Sequence, residues 1–392
     1  MARNERELAD VDRLHGLLGL PPSFGNEVRV LRNGDEIFPA MLEAIRSATD
    51  TVDFVTFVYW SGDIATDFAE ALGSAARRGV RVRALLDAVG ARKIDPALIT
   101  QMSDSGCHVR WFRPFFEKNK VPKINEANRR THRKILVCDN SIGFCGGVGV
   151  AAEWTGDARN EHEWRDTHLA VRGPAVAGLL GAFLDNWADQ HEDGFDPRAE
   201  RDVDLHERGS TPMFVVRGSA ETGASDVWRM IMTLVSIAEK RLRIATAYFN
   251  PDRHVIDELI AAVDRGVHVT LLVPGGHHDK RFVQITGEEA YQELLDAGVD
   301  IRTYEVSMMH AKVMTVDGRI ATVGSTNFNQ RSMQHDEEAN VVIVDQDVVA
   351  VLDRHLDDDL TKSIELDPTR WADRGLSQRV AERVTTVVEK WL

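Results

Sequence analysis

The chain has 392 residues, of which 43% are hydrophobic and 28% are charged. That length exceeds one ordinary hydrophobic core, so we expect two lobes in a soluble globular protein. Lys and Arg total 47 against 62 Asp and Glu, and the resulting net charge of −15 argues against a general nucleic-acid binder. The N-terminus lacks the apolar stretch of a signal peptide, and residues 174–184 are only about half as long as a ~20-residue spanning helix. We therefore expect a cytoplasmic protein without a membrane-spanning segment.

Strands and helices alternate along the first half of the chain. Glycine suits the residue that follows a helix, and proline suits a first helical turn. In chain order, the predicted elements are a helix that ends at Arg78 and Gly79, a strand over 80–85, a strand that carries His132 and Lys134, a strand over 169–171, and a helix over 174–187.

The same order of elements returns in the second half. The predicted elements there are a helix that ends at Arg265 and Gly266, a strand over 267–272, a strand that carries His310 and Lys312, a strand over 341–344, and a helix over 347–360. Residues 191–211 are polar and contain Gly194, Pro197 and Gly209, which predicts a linker. We therefore predict an N-terminal lobe over 1–190, a C-terminal lobe over 212–366, and a helical tail over 367–392.

Four segments recur in the same order, which indicates that one unit has been duplicated. The segment from Thr131 to Asp139 returns 178 residues later as Met309 to Asp317, and the pair Gly146-Gly147 returns in the same register as Gly324-Ser325. Because strands alternate with helices in each half, we predict two similar α/β lobes related by a pseudo-two-fold axis.

The two His-x-Lys pairs are the candidate catalytic groups. Residues i and i+2 of a strand face the same way, so His132 shares a face with Lys134, and His310 shares one with Lys312. A pseudo-two-fold axis brings both pairs into the cleft between the lobes. Two imidazoles can then supply a nucleophile and a proton donor, since the unperturbed pKa of about 6.5 allows either protonation state near neutral pH. Two ammonium groups supply the positive charge that a metal supplies elsewhere, so no metal or other cofactor is expected.

Further polar residues follow each pair. Asn327 can donate its amide N–H to a phosphate oxygen. Glu338 lies near the start of the last strand of its lobe, Asp166 is placed similarly in the first half, and either carboxylate can hold an imidazole in one tautomer. Asp139 and Asp317 face away from their histidines by strand alternation and carry turn signals, which favours a structural role for both.

These residues resemble the phospholipase D superfamily, whose motif is His-x-Lys-x4-Asp followed by Gly-Ser or Gly-Gly and then x-Asn. Among its members the chain looks most like bacterial cardiolipin synthases, a resemblance that runs from about Pro22 to Leu360. The matching residues are His132, Lys134, Asp139, Gly146, Gly147, His310, Lys312, Asp317, Gly324, Ser325 and Asn327.

The resemblance implies two α/β/α-sandwich lobes with the active site between them, no metal, and a phosphatidyl-histidine intermediate. It makes Asp139 and Asp317 part of the catalytic motif, places Gly147, Ser325 and Asn327 beside the substrate, and implies that His132 is the nucleophile and His310 the general acid. One departure is Gly149, which stands where the family has Asn.

The leading hypothesis is a phosphatidyltransferase that acts on an anionic glycerophospholipid and meets the inner face of the membrane peripherally. The basic segment 118–130 would contact anionic head groups. Three alternatives remain open: a phospholipase D hydrolase, a nuclease or other non-lipid phosphodiesterase, and a lipid-binding protein without activity.

Overall fold

The structure is a computed structural model, and it describes residues 5–114, 129–189, 200, 202–219, 226–278 and 288–372. The tail beyond Ala372, the segment 115–128, and residues 191–199 and 201 of the predicted linker lie outside the described residues. The elements of the first half are α1 (Glu5–Leu18), β1 (Ser23–Arg32), α2 (Asn33–Ser47), β2 (Thr51–Thr56), α3 (Asp63–Arg77), β3 (Arg81–Asp87), α4 (Pro96–Asp104), β4 (His108–Phe112), β5 (Ile135–Cys138), β6 (Ile142–Gly146), β7 (Thr167–Arg172) and α5 (Val176–Asp189).

The second half repeats this order with short additions. Its elements are β8 (Thr211–Gly218), α6 (Asp226–Ser236), β9 (Arg241–Ala245), β10 (Phe249–Asn250), α7 (Arg253–Asp264), β11 (His268–Pro274), α8 (Tyr291–Asp296), β12 (Asp300–Tyr304), β13 (Val313–Val316), β14 (Ile320–Gly324), β15 (Phe328–Asn329), α9 (Gln330–Gln334), β16 (Glu338–Val344), α10 (Gln346–Thr361), β17 (Ser363–Glu365) and α11 (Pro368–Ala372).

Fifteen of the described strands form one continuous mixed sheet. Its order is β17-β12-β11-β9-β13-β14-β16-β8-β1-β7-β6-β5-β2-β3-β4. Read outward from the central antiparallel pair of β1 and β8, the two sides have the same order of matching strands, with β17 added at one edge. An antiparallel central pair is what a two-fold axis requires, so the topology confirms the duplication and the α/β class.

Matching local geometry explains why the same elements form twice. Gly79 after α3 has a φ of +92°, and Gly266 after α7 has a φ of +88°, a left-handed conformation that glycine adopts without a steric penalty. At both sites the glycine N–H donates to a carbonyl of the last helical turn, and so does the N–H of the next residue. The predicted helix ends at these glycines are therefore confirmed.

Three apolar clusters hold the molecule together. One lies within each lobe, and the third lies between them, where Val137 and Leu169 from the first half join Val313 and Val341 from the second. Helix α1 precedes β1 in the chain, yet its buried side packs into the core of the C-terminal lobe. The predicted N-terminal lobe over 1–190 included this helix. By its packing, however, α1 belongs to the core of the C-terminal lobe.

Candidate active site between the lobes

The two His-x-Lys pairs lie immediately before strands and not within them. His132 and Lys134 precede β5, whereas His310 and Lys312 precede β13. The prediction that each pair lies inside a strand is therefore wrong. The physical reason is that the backbone at these positions pairs with the opposite lobe and not with a neighbouring strand of its own sheet.

The cross-lobe backbone pairing is the same on both sides of the pseudo-two-fold axis. The His132 N–H donates to the carbonyl of Glu337 over 2.8 Å, and the His310 N–H donates to the carbonyl of Arg165 over 2.8 Å. Parallel bridges join the residues preceding each histidine to the same two positions. Each histidine is thus fixed to the segment that precedes the last strand of the other lobe.

The next residue of each such segment is a carboxylate that contacts the histidine ring. Nδ1 of His132 lies 3.0 Å from Oε1 of Glu338, and Nδ1 of His310 lies 2.7 Å from Oδ2 of Asp166. Because a carboxylate is an acceptor, each Nδ1 carries the proton, which leaves Nε2 of a neutral ring as the basic and nucleophilic nitrogen. The sequence predicted both carboxylates as histidine partners, and the structure shows that they are exchanged between lobes.

Both lysines lie against the histidines. Nζ of Lys134 donates to the carbonyl of His132 over 2.7 Å. Nζ of Lys312 lies 2.9 and 3.1 Å from the ring nitrogens of His310. The positive charge of each lysine also reaches the histidine of the opposite lobe and lowers its pKa. The structure therefore gathers the two pairs into one buried pocket.

Burial sets the protonation states in this pocket. Burial first, and then the charge of Lys134, lower the pKa of His132 to about 4. Burial and Lys312 likewise lower the pKa of His310 to about 4. Burial also lowers the pKa of Lys134 to about 8. Before substrate binds, both imidazoles are thus neutral at pH 7, and Lys134 is largely charged.

The two carboxylates are held in their ionised forms. Burial alone would raise the pKa of Glu338, but its contacts with His132 hold that pKa below the usual value. Burial acts on Asp166 in the same way, and His310 and Lys312 lower its pKa. Each carboxylate can therefore stabilise a protonated imidazole.

The glycine and serine that follow β6 and β14 support these carboxylates. A Cβ at Gly147 would lie 2.3 Å from Oδ1 of Asp166, so glycine is needed there for the carboxylate to fit. At the matching position of the C-terminal lobe, the hydroxyl of Ser325 donates to Glu338. Both predicted residues therefore act on a histidine's carboxylate partner.

Asn327 and Gly149 occupy matching positions with different surroundings. Asn327 is almost fully buried, and its Oδ1 has no hydrogen-bond partner in the described part of the chain. A Cβ at Gly149 would lie 2.7 Å from Cβ of Val58, so an asparagine there would require Val58, two residues beyond the end of β2, to move. The glycine at 149, where the family motif has asparagine, is thus accompanied by a lack of space for a larger side chain.

Asp139 and Asp317 lie at the other end of β5 and β13, away from the pocket. Asp139 accepts the backbone N–H groups of residues 49–51 over 2.8 to 3.1 Å. Asp317 accepts those of residues 239–241 over 2.8 to 3.0 Å. The catalytic assignment implied by the motif does not agree with this geometry, and the turn-holding role predicted from strand alternation does.

Aromatic and arginine side chains around the histidines went unassigned in the sequence. His310 packs 5.0 Å from the ring of Trp154 and 5.4 Å from that of Trp164, whereas His132 packs 5.2 Å from Phe57. Arg133 is fully buried and donates to Glu337 and to the carbonyl of Glu338. The sequence signal that could have identified Arg133 is its position between His132 and Lys134.

The basic segment 118–130 is described only at its end. There, Arg130 is buried and forms an ion pair with Asp87 over 3.0 Å, so the expectation that it meets lipid head groups is wrong. In the described ranges, no helix combines the length and apolarity needed to cross a bilayer. Those ranges also contain no group of three or more His, Cys, Asp or Glu side chains arranged to hold a metal ion.

Comparison with known proteins places this site in a family. The family described as "Cardiolipin synthase, PLD-like domain" matches residues 41–163 and 231–360. Cardiolipin synthase 2 of Bacillus anthracis is 33% identical over 385 residues, which cover 97% of this chain and 74% of that protein. A cardiolipin synthase of Staphylococcus aureus (strain Mu50 / ATCC 700699) is 32% identical over 371 residues, which cover 93% of this chain and 73% of that protein.

A solved structure shows the same fold over the whole chain. Phosphatidylserine synthase of Haemophilus influenzae Rd KW20 matches with a TM-score of 0.72 at 14% identity, covering 97% of this chain and 96% of that chain. The resemblance read from the twin His-x-Lys motifs is thus confirmed, and so is the two-lobed fold class. The chain belongs to the cardiolipin synthase family of phospholipase D-like proteins and is a phospholipase D-type phosphatidyltransferase.

Proposed function

We propose that the protein transfers a phosphatidyl group through a phosphohistidine to the head group of phosphatidylglycerol, forming cardiolipin. The observation that supports this most is the pair of imidazoles, each hydrogen-bonded to a carboxylate of the opposite lobe and each accompanied by a lysine. We choose phosphatidylglycerol as the acceptor because the similar proteins are named cardiolipin synthases.

The first step forms a P–N bond. Nε2 of His132 attacks the phosphorus of the donor lipid, and the P–O bond to the leaving glycerol breaks as His310 donates a proton to that oxygen. His310 is neutral beforehand, because burial keeps its pKa at about 4. The negative charge of the entering phosphodiester raises that pKa, so Nε2 of His310 takes up a proton from solvent as the substrate binds, and Asp166 stabilises the imidazolium that forms.

The second step reverses these roles. The hydroxyl of the acceptor gives its proton to His310, its oxygen attacks the phosphorus, and the P–N bond to His132 breaks. Lys134, Lys312 and the amide of Asn327 stabilise the non-bridging oxygens in both steps. Water in place of the acceptor would yield phosphatidic acid, so exclusion of water separates transfer from hydrolysis.

Lipid mass spectrometry after incubation with phosphatidylglycerol vesicles tests the proposal. We expect a diphosphatidyl product from the wild type, and its loss in His132→Asn and in His310→Asn. His206→Asn is the matched control, because the side chain of His206 is exposed and contacts Asp204 and not the active-site histidines. Phosphatidic acid as the sole product would replace the proposal with hydrolysis, and turnover of bis-nitrophenyl phosphate without any lipid turnover would replace it with a non-lipid phosphodiesterase.

The order of attack is tested separately. Quenching a reaction with phosphorus-labelled donor in denaturant at alkaline pH, where the P–N bond survives, traps the covalent intermediate on the nucleophile. We expect the label on a peptide that contains His132, and a label on His310 would reverse the two roles.

The proposal includes a cytoplasmic location with peripheral contact at the inner face of the membrane, because both substrates are bilayer lipids. Flotation with vesicles of phosphatidylglycerol and of phosphatidylcholine tests the contact. We expect co-flotation with the anionic vesicles, and a protein that stays at the bottom of the gradient with both would contradict it.

A further inference from the structure

The loop between β3 and α4 borders the active-site pocket. The carboxylate of Asp87 accepts the N–H of Gly90 over 3.0 Å and the N–H of Thr131, the residue before His132, over 3.1 Å. A Cβ at Gly90 would lie 2.2 Å from the carbonyl oxygen of Phe57, whose ring contacts His132. The loop is therefore held against the wall of the pocket.

Lys93 extends from this loop onto an aromatic ring. Its Nζ lies 4.0 Å from the ring centroid of Trp60, and Nε1 of Trp60 donates to the carbonyl of Gly90 over 2.7 Å. The side chain of Lys93 is exposed, and no carboxylate of the described residues lies within ion-pair distance of it. By contrast, Arg130 and Arg133 near the pocket are both paired with carboxylates.

A chain of aromatic rings connects Lys93 to His310. The ring of Trp60 lies 6.2 Å from that of Trp154, which lies 5.0 Å from His310. Together with the 4.0 Å from Lys93 to Trp60, these separations put the ammonium at most about 15 Å from the imidazole. The separation from His310 is the relevant one, because in the proposed function His310 protonates the leaving alcohol and deprotonates the incoming one.

We propose that Lys93, held on Trp60, binds the phosphate of the acceptor and so selects a phosphate-bearing alcohol over water or a neutral alcohol. In the product, a three-carbon glycerol separates the two phosphorus atoms by roughly 7 Å at ordinary bond lengths. A charge-assisted contact from phosphate to ammonium adds about 3 Å. The required distance from the reacting phosphorus to Nζ is therefore about 10 Å, which is compatible with a separation of at most about 15 Å between Nζ and the His310 ring.

The ammonium can serve this role while it stays on the ring. The face of Trp60 attracts the cation electrostatically and limits its motion, which lowers the entropy lost when a phosphate binds. An ammonium has three N–H donors, so contact with one ring face leaves donors for a phosphate. No tryptophan occupies the matching site of the C-terminal lobe, where β10 places Asn250. The acceptor subsite therefore belongs to one lobe only.

This inference rests on the proposed transfer reaction, and a competition between two soluble acceptors tests it. Phosphatidylglycerol vesicles serve as donor, with equal concentrations of isotope-labelled glycerol and glycerol 1-phosphate, and mass spectrometry measures the ratio of the two transfer products. In each, the acceptor hydroxyl replaces the histidine nitrogen on phosphorus and loses its proton to His310. We expect the wild type to favour glycerol 1-phosphate, and Lys93→Gln to reduce that preference about five- to tenfold.

Two variants serve as controls. Lys93→Arg keeps the charge and should keep most of the preference. Lys240→Gln removes an exposed lysine beside the turn at Asp317, at the opposite end of the strands, and should leave the ratio unchanged.

The outcomes separate this inference from the proposed function. Absence of transfer to either soluble acceptor, together with absence of a diphosphatidyl product from the same vesicles, would remove the proposed function and this inference with it. A diphosphatidyl product without any preference for glycerol 1-phosphate in the wild type would overturn the inference alone. Transfer with an unchanged ratio in Lys93→Gln would overturn the inference alone. A loss of preference in Lys240→Gln equal to that in Lys93→Gln would also overturn it, because a general surface charge would then account for the selectivity.

Discussion

Three residues beyond β14 the C-terminal lobe has the buried Asn327, whereas three residues beyond β6 the N-terminal lobe has Gly149 packed against Val58. The same contrast appears one strand away. Asn340 of the C-terminal lobe accepts hydrogen bonds from Thr326, but at the matching position of the N-terminal lobe both ring nitrogens of His168 lack a partner among the described residues.

The aromatic surroundings differ as well. His310 packs against two tryptophans and His132 against one phenylalanine. The duplication has thus kept the imidazole, lysine and carboxylate on both sides, while the groups around them have diverged.

The largest expected loss of activity comes from replacing the carboxylates that contact the histidines, which both lobes have. Asp166→Asn and Glu338→Gln each replace an acceptor at Nδ1 with an amide that no longer fixes one tautomer or stabilises an imidazolium. We expect kcat to fall roughly 10²- to 10⁴-fold in either variant. Steady-state assay of phosphatidylglycerol turnover measures this, with Glu365→Gln as an exposed control on β17.

If the two lobes contribute different chemistry, the carboxylate variants should respond differently to the leaving group. Both variants should slow the step that phosphorylates His132 and releases the alcohol, but they should differ with a nitrophenyl phosphodiester, whose leaving group needs no proton. That donor should restore Asp166→Asn more than Glu338→Gln. Equal recovery of the two variants would contradict the division of roles.

The second effect concerns pH. Burial lowers the pKa of Lys134 to about 8, so its charge is present below that pH and is lost as the pH rises through it. We expect kcat/KM to decline above about pH 8, by up to tenfold per pH unit. In Lys134→Arg the guanidinium stays charged, so this decline should disappear from the pH profile even if the maximum is lower. An unchanged alkaline limb in Lys134→Arg would assign the decline to another group.

The third prediction concerns Gly149→Asn, which gives the N-terminal lobe the residue that the C-terminal lobe has at the matching position, Asn327. Gly149→Asn should destabilise the protein by about 1–3 kcal/mol, because its Cβ would overlap Val58. Chemical denaturation measures the change in the free energy of unfolding. The double variant Gly149→Asn with Val58→Ala should recover part of the loss, and equal destabilisation with and without Val58→Ala would exclude the steric explanation.

The smallest effect on catalysis is expected at the turn aspartates. Asp139→Ala and Asp317→Ala each leave backbone N–H groups without their acceptor, which should cost about 1–3 kcal/mol of stability. The kcat of the folded variants should change less than about threefold, since both carboxylates lie at the far end of the strands. A fall of 10²-fold or more in correctly folded Asp139→Ala would restore the catalytic role that the motif implies.

Much of this site was predictable from the sequence because the repeat defines equivalent positions. His132 and His310 with their lysines follow from the repeat alone, and so do Glu338 and Asp166 as histidine partners. The exchange of those carboxylates between lobes was not predictable, because it depends on backbone pairing of Glu337 with Thr131, far apart in the sequence.

Other features depended on packing that no local pattern encodes. The tryptophans around His310 come from a loop whose conformation is set by contacts with Asp166, since Nε1 of Trp154 donates to that carboxylate over 2.9 Å. The placement of α1 on the C-terminal core follows from the central position of β1 in the sheet, which brings the N-terminus beside the other lobe. The left-handed turn at Asp139, by contrast, was readable from its Asp-Asn sequence.

The exchange of Glu338 and Asp166 between the lobes has an evolutionary consequence. A single ancestral unit with this sequence pattern would hold a histidine and a carboxylate that do not serve each other, so its chemistry would have required a symmetric dimer. After fusion into one chain, a mutation at either carboxylate is felt by the histidine of the other half. The two halves are therefore coupled at these four positions, whereas Gly149 and Asn327 differ between the halves without breaking that coupling.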